Sequence, residues 1–336
     1  MNNSKSIPKR TVAFRWFRVA GLTIVALTVI SAIVGASYQA LEVRANARRF
    51  PPRGRLIDIG GYRLDLNCTG RGSPTVILES GAGVLAIDWK LVQPEIAQFT
   101  RVCSYDRAGY GWSDPGPMPR TSEQIAKELH TLMQKAGEKP PYVLVGHSAG
   151  GLDVRVYNGK FPNEVVGMVL VDATHEDQAN VMPPSMKKVS DEQVKKFDQQ
   201  TKYQILLVRF GYARLTSSHR DEETVLDLQP KFIEAMKSEL DSFEEDGNEV
   251  RAAGTLGDKP LIVLTAGKER IPQRFSRRDF DAYIRIWVDD LQMREAHLSS
   301  RGKRIIVPDS GHMIPLERPD TIISAVHEIC AAVDFH

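Results

Sequence analysis

The chain has 336 residues, with 44 Lys+Arg against 42 Asp+Glu and a formal net charge of +2. That balance offers no clustered basic face for nucleic acid, and 42% hydrophobic residues with 3 cysteines exclude both a disordered chain and a disulfide scaffold. One long α/β domain or two smaller units fit this length, and about three-quarters of the unfolded surface can be buried without a metal or disulfide staple.

Residues 1–18 form a basic tail with Lys5, Lys9, Arg10, Arg15 and Arg18. Residues 19–41 follow without a single charge. At 1.5 Å per helical residue this run makes roughly 35 Å, enough to cross a ~30 Å hydrocarbon core with some tilt. Trp16 and Phe17 sit where interfacial aromatics belong. A basic head before an apolar run also describes a cleavable signal, with Ala45-Asn46-Ala47 as its small-x-small site, and a buried core helix is a third reading. That site lies far beyond the apolar run, and the run is long for a signal, so a single-pass signal-anchor is preferred. Arg44, Arg48, Arg49, Arg53 and Arg55 balance the basic residues on the other side. The expected arrangement puts the N-terminus in the cytoplasm and the globular part outside, with secretion after cleavage as the alternative. Residues 42–55 read as a linker, basic and Pro-containing at its end.

Strand signals begin next. Residues 56–59 and 62–68 flank Gly60-Gly61, a hairpin with a tight two-residue turn. Further β-rich runs fall at 75–78, 101–105, 142–145, 165–171, 261–265 and 304–307. Between them, residues 121–136 predict a helix with Thr121 and Ser122 as cap candidates and Gly137 as its stop. Tyr283, Ile284, Trp287, Val288 and Leu291 predict an amphipathic helix. Near-continuous apolar strands alternating with helices argue for an α/β fold whose mostly parallel sheet is covered on both faces. The alternation breaks once, at 176–259, which is polar, helical in period and without a good strand. This segment reads as a helical lid inserted into a core of residues 56–175 and 260–336.

Gly146-His147-Ser148-Ala149-Gly150 matches G-x-S-x-G. Three fixed positions recur by chance about once per ten such chains, so the pentapeptide alone is weak. Its context is stronger, because a buried strand, YVLV, precedes it and a helical stretch follows. In that strand–turn–helix setting the turn lifts the serine oxygen clear of the sheet, and small flanking residues let the chain pass. The next N–H, that of Ala149, then points at a developing oxyanion. A serine hydroxyl also needs a base oriented by a carboxylate. His312 follows the last strand on a Ser-Gly turn and is the candidate base. His147 adjoins the nucleophile but faces the wrong way and is read as structural.

Three stretches together resemble the α/β-hydrolase superfamily, in its serine-nucleophile, lid-containing form: GHSAGG at 146–151, YDRAGYGWSD at 105–114 and SGHMIPLERP at 310–319. The resemblance covers about 56–333 and implies a mostly parallel eight-stranded sheet with an inserted helical lid. It implies that the 105–114 run packs the exit of the fourth strand, so Asp106 and Arg107 are not catalytic candidates. The loop after the third strand usually reads His-Gly and donates the second oxyanion N–H. Here it reads Glu79-Ser80-Gly81-Ala82-Gly83, so Ala82 is the matching donor and the histidine is missing. The family offers two places for the acid. One is the loop after 261–265, where Glu269 stands near the expected position and Arg270 on it. The other is the tip of the strand before the lid, which is Asp172. Asp172 is preferred and Glu269 is the alternative.

His175-Glu176-Asp177 has no second cluster to complete a metal site and reads as a surface turn or a lid hinge. Cys68 and Cys103 fall on strands expected to be neighbours and either pair or fill the core. The sequon Asn67-Cys68-Thr69 lies in a strand and is discounted. Cys330 reads as a buried filler. The expected protein is a membrane-anchored serine hydrolase acting on a small acyl substrate through Ser148, His312 and Asp172, without metal, organic cofactor or nucleic acid. An acyltransferase, a proline-type peptidase and a non-catalytic ligand-binding homologue are the alternatives.

Overall fold

A computed structural model describes residues 9–218, 221–268, 272 and 274–333. Eight strands, β1 (Arg55–Asp58), β2 (Arg63–Thr69), β3 (Thr75–Glu79), β4 (Val102–Tyr105), β5 (Tyr142–His147), β6 (Val165–Val171), β7 (Leu261–Ala266) and β8 (Gly302–Val307), form one sheet in the order β1-β2-β4-β3-β5-β6-β7-β8. Only β2 runs antiparallel to its neighbours; the other pairings are parallel. The physical cause lies in the central strands, which are apolar at almost every position and so bury both faces. Leu144, Leu170 and Val263 pack under the helices Ser122–Ala136 and Gly150–Lys160, while Val143, Val169 and Ile262 pack under the C-terminal helix Pro319–Val333. Local signals operate as expected. Thr121 caps its helix by accepting from the Gln124 N–H at 3.3 Å, and Gly137 ends it at φ 78°. Asp58 accepts the N–H groups of Gly60 and Gly61 at 2.8 and 2.9 Å to close the hairpin. Cys68 and Cys103 stand opposite one another across β2 and β4 and form a disulfide.

The N-terminal helix spans Lys9–Arg49 and is long and apolar enough to cross a membrane. Its residues 14–31 are exposed, so it is not a core helix. It also continues through 42–49, which the sequence reading assigned to the linker. Residues 40–49 are rich in helix formers, and the true break falls at Pro51 and Pro52. Its second half docks on the helices between β6 and β7. There Gln39 accepts from the fully buried Arg214 at 2.7 Å and donates to the Leu228 carbonyl at 2.9 Å.

Between β6 and β7 lie the helices Pro184–Arg209, Tyr212–Thr216, Glu222–Asp227, Pro230–Asp241 and Phe243–Ala253, with no strand among the described residues. The 105–114 run does more than pack a strand exit, because it is the cradle of these helices. Arg107 pairs with Glu239 at 2.9 Å, and Tyr110 donates to Glu239 at 2.6 Å. Lys231 donates to the carbonyls of Gly111 and Ser113. Gly109 lies so close to Ala235 that a Cβ there would stand 2.5 Å from the alanine's own.

The last lid helix carries a buried acid, Asp246, which accepts the Ser122 N–H at 2.8 Å. Burial chiefly, with the Glu249 and Glu239 charges adding, pushes it up to about 7. An acid raised on folding stabilises below its ordinary range and loses that contribution as pH rises towards its folded value. Asp246→Asn keeps the acceptor and removes the charge. Thermal unfolding of the full chain in detergent micelles should therefore show the variant gaining on the wild type between pH 5 and pH 8. A margin that does not grow with pH would exclude a charged, buried Asp246.

Candidate active site

β5 ends at His147 and the helix Gly150–Lys160 begins three residues later, so Ser148 sits on the sharp turn between them. Its φ is 53°, and Ser148 and Asp172 are the only non-glycine residues with positive φ among those described. Such a backbone persists only when its surroundings over-determine it. Here the Ser148 N–H donates to Val171 O at 3.1 Å, and its carbonyl accepts from Gly151 and Thr174 at 3.0 and 2.9 Å. The flanking glycines are needed for close approach. A Cβ on Gly146 would lie 2.6 Å from the Gly150 carbonyl oxygen, and one on Gly150 would lie 2.5 Å from that of Ser80.

Asp172 follows β6 at its carboxyl end, the edge where open α/β sheets place their sites. Its N–H donates to Leu264 O at 2.7 Å and its Oδ1 accepts the Ala266 N–H at 3.1 Å, so the neighbouring strand β7 fixes both its backbone and its carboxylate. Its Oδ2 lies 2.6 Å from His312 Nδ1, and His312 Nε2 lies 3.0 Å from Ser148 Oγ. The structure thus brings Asp172, His312 and Ser148 into one hydrogen-bonded line. Glu269, the alternative acid, lies outside the described residues. Asp172 is 2% exposed whereas the His312 side chain is 49% exposed, so the carboxylate is shielded while the imidazole is open to a reactant. His147 donates through Nε2 to the His312 carbonyl at 3.0 Å. Burial, and then the neighbouring His312, lower its pKa to about 4, so it supports the histidine loop as a neutral ring.

Gly81 lies against Ser148, with room for no side chain; a Cβ there would stand 2.9 Å from the Ser148 Cβ. The carbonyls of Ser80 and Gly81 accept from Arg107 at 2.6 and 2.8 Å. Because a trans peptide points its C=O and N–H in opposite directions, the Ala82 N–H faces away from Arg107. Ala82 and Ala149 both line the cavity that holds Ser148. Arg107 also pairs with Glu79 at 2.7 Å, and Tyr105 donates to the same carboxylate. Sequence reasoning set Arg107 aside as structural and saw Glu79 only as a departure from His-Gly; together they hold the loop that carries Ala82.

The cavity over Ser148 measures about 410 Å³. Its walls are apolar and aromatic: Leu240 and Phe243 from the lid helices, and Phe280, Tyr283, Ile284 and Trp287 from the chain after β7. The apolar stripe at 283–291 signalled a helix, but nothing local said that it faces the serine. A π-turn at Trp287–Leu291 interrupts that helix beside the cavity, as such turns often do at functional positions. His175, Glu176 and Asp177 form no metal cluster. Glu176 pairs with Arg155 at 2.7 Å, Asp177 with Arg251 and Arg294, and His175 Nδ1 accepts the Asp177 N–H.

A family model described as "Alpha/beta hydrolase family" matches residues 76–325. The probable transporter efuK of Hormonema carpetanum is 25% identical over 303 residues, 81% of this chain and 42% of the relative. The uncharacterized protein YqjL of Bacillus subtilis is 26% identical over 266 residues, 78% of this chain and 86% of the relative. The chain thus spans less than half of the first relative and most of the second. A thermophilic esterase from Thermogutta terrifontis shares the fold at TM-score 0.55 and 20% identity, over 81% of this chain and 94% of that one.

Proposed function

Because the chain belongs to the α/β-hydrolase family, we propose that it is a serine hydrolase cleaving an ester-type acyl bond through Ser148, His312 and Asp172. The observation that carries this reading is the line of hydrogen bonds from Asp172 through His312 to Ser148, at 2.6 and 3.0 Å, on a positive-φ turn. The Nδ1–H of His312 donates to Asp172, which leaves Nε2 to take the Ser148 proton as Oγ attacks the carbonyl. The N–H groups of Ala82 and Ala149 bind the tetrahedral oxyanion. His312 then passes its proton to the departing alcohol oxygen, and water hydrolyses the acyl-enzyme by the same steps in reverse. The half-exposed imidazole favours water as the acceptor over an acyltransferase's excluded site. The aromatic walls favour an apolar acyl or alcohol group.

The N-terminal helix anchors this enzyme in a single pass, with the globular part on the extracytoplasmic side. The Cys68–Cys103 disulfide supports that side, since such bonds persist in oxidising compartments.

A fluorophosphonate probe tests the reading. The full chain in detergent micelles should label, and Ser148→Ala and His312→Ala should not. Turnover of a short-chain aryl ester by Ser148→Ala should fall roughly 10⁴–10⁶-fold. A folded wild type that neither labels nor turns over esters would sink the proposal, while acyl transfer to added alcohol in preference to water would replace hydrolase by transferase.

A further inference from the structure

The N-terminal helix meets the lid by one face. Its residues 14–31 are exposed on every side, whereas Ala32, Gly35, Ala36, Gln39, Val43 and Asn46, spaced for one side of a helix, are partly or wholly covered. The contact starts where the hydroxyls of Ser31 and Tyr212 hydrogen-bond. One turn on, two glycines let the backbones touch. A Cβ on Gly35 would collide with the Phe210 carbonyl oxygen, and one on Gly211 would stand 2.8 Å from that of Gly35. The bond between Gln39 and Arg214 follows a turn later.

Given the single-pass anchor proposed above, on which this inference rests, the position of that contact sets a depth. Arg15 and Arg18 hold the cytoplasmic end of the span outside the hydrocarbon. Crossing takes about 20 residues, so a span that begins at Val19 ends near Tyr38. The lid already touches the helix at Ser31, about 10 Å short of that end at 1.5 Å per residue. Tilt lengthens the buried stretch and deepens the overlap. The lid segment at 203–215 therefore reaches into the leaflet nearer the globular part.

That segment carries the surface such a depth asks for. Tyr203, Leu206, Tyr212 and Leu215 are exposed, at 63, 52, 38 and 63%. Apolar side chains gathered in this way mark an interaction face, and tyrosines are favoured at the headgroup level. The cations nearby are bonded: Arg214 is buried on Gln39, Arg209 pairs with Glu234 at 2.5 Å, and Lys202 pairs with Asp198 at 2.8 Å. The two exposed ones, Arg209 and Lys202, keep their heads among the headgroups while their stems lie along the apolar side. We propose that the lid face formed by Tyr203, Leu206, Tyr212 and Leu215 is a membrane-docking surface, seated in the bilayer interface beside the N-terminal helix. It holds the domain in one orientation on the membrane, which a flexible tether does not. The helix that carries Tyr203 and Leu206 packs on the helix Pro230–Asp241, whose Leu240 lines the cavity over Ser148, so the docked face stands one helix away from the reacting groups.

The test is fluorescence quenching of the full chain in phosphatidylcholine nanodiscs. Cys68 and Cys103 are bonded to one another and Cys330 is buried, so a cysteine introduced on the surface takes a bimane label. Leu206→Cys and Leu215→Cys replace exposed side chains and leave the fold intact. Both labels should lose most of their emission to lipid bearing a nitroxide on the acyl chain, and little to aqueous iodide. Val29→Cys, in mid-span, reports the anchor and should be quenched by nitroxide lipid. Gln134→Cys lies near the end of the helix Ser122–Ala136, at the sheet edge where β5 begins, and should be quenched by iodide alone. If Val29→Cys is quenched by lipid while both lid labels behave like Gln134→Cys, the docking surface is overturned and the anchor stands. A Val29→Cys label untouched by nitroxide lipid would overturn the anchor and the docking surface with it. Lid labels protected from both quenchers would give the patch to a second copy of the chain, which also overturns the proposal.

Discussion

Asp172→Asn is expected to lower the turnover of an ester substrate about 10⁴-fold, with the fold and substrate binding little changed. Asparagine can keep the bond from the Ala266 N–H, so the backbone at the tip of β6 stays in place. What it loses is the negative charge 2.6 Å from His312 Nδ1. An amide facing Nδ1 selects the wrong tautomer and leaves the imidazolium of the transition state without a counter-charge. The paired variant Glu269→Gln should lie within a few-fold of wild type. Steady-state kinetics on both variants check the assignment: a full-sized loss on Glu269→Gln with Asp172→Asn near wild type would move the acid to the loop after β7.

Arg107→Met should be the most damaging change outside the reacting groups. The guanidinium is 3% exposed and holds Glu79, Glu239 and the carbonyls of Ser80 and Gly81 at 2.6–2.9 Å. Removing it strands two buried carboxylates, and burial already pushes Glu79 up against the pull of Arg107. Breaking one partner out of a buried ion network typically costs about 3–5 kcal/mol. In a domain of this size that is a fall in Tm on the order of 10 °C. Activity should fall as well, because the same side chain holds the loop that carries Ala82 beside Ser148 and ties the helix Pro230–Asp241 to it through Glu239. Adding Glu79→Gln and Glu239→Gln to Arg107→Met should recover much of the Tm but not the activity. Recovery of both together would mean that Arg107 contributes charge balance alone and does not position the loop.

The legible features share one physical property: each is written in contiguous residues. Strand period, the Thr121 cap, the Gly137 stop, the Gly60-Gly61 turn and the Gly146–Gly150 elbow depend on neighbours a few positions away, so a linear reading finds them. The length of the N-terminal helix was partly missed for a related reason. Its charge-free run ends at residue 41, but helix propensity and docking against Arg214 carry it on to Arg49.

By itself the sequence determined an α/β alternation with one helical insertion, a serine on a strand–turn–helix, a histidine on a late turn, and an apolar N-terminal run long enough to span a bilayer. Only the tertiary structure decided which carboxylate meets His312 among the described residues, because Asp172 and His312 are 140 positions apart and the parallel order of β6, β7 and β8 closes that gap. Only it joined Arg107 to Glu79 and Glu239, faced Phe280 and Trp287 towards Ser148, and brought Tyr212 of the lid to Ser31 of the N-terminal helix. A propensity acts on a residue and its near neighbours, whereas a site is made where distant segments meet, and that meeting is set by the burial and register of the whole sheet.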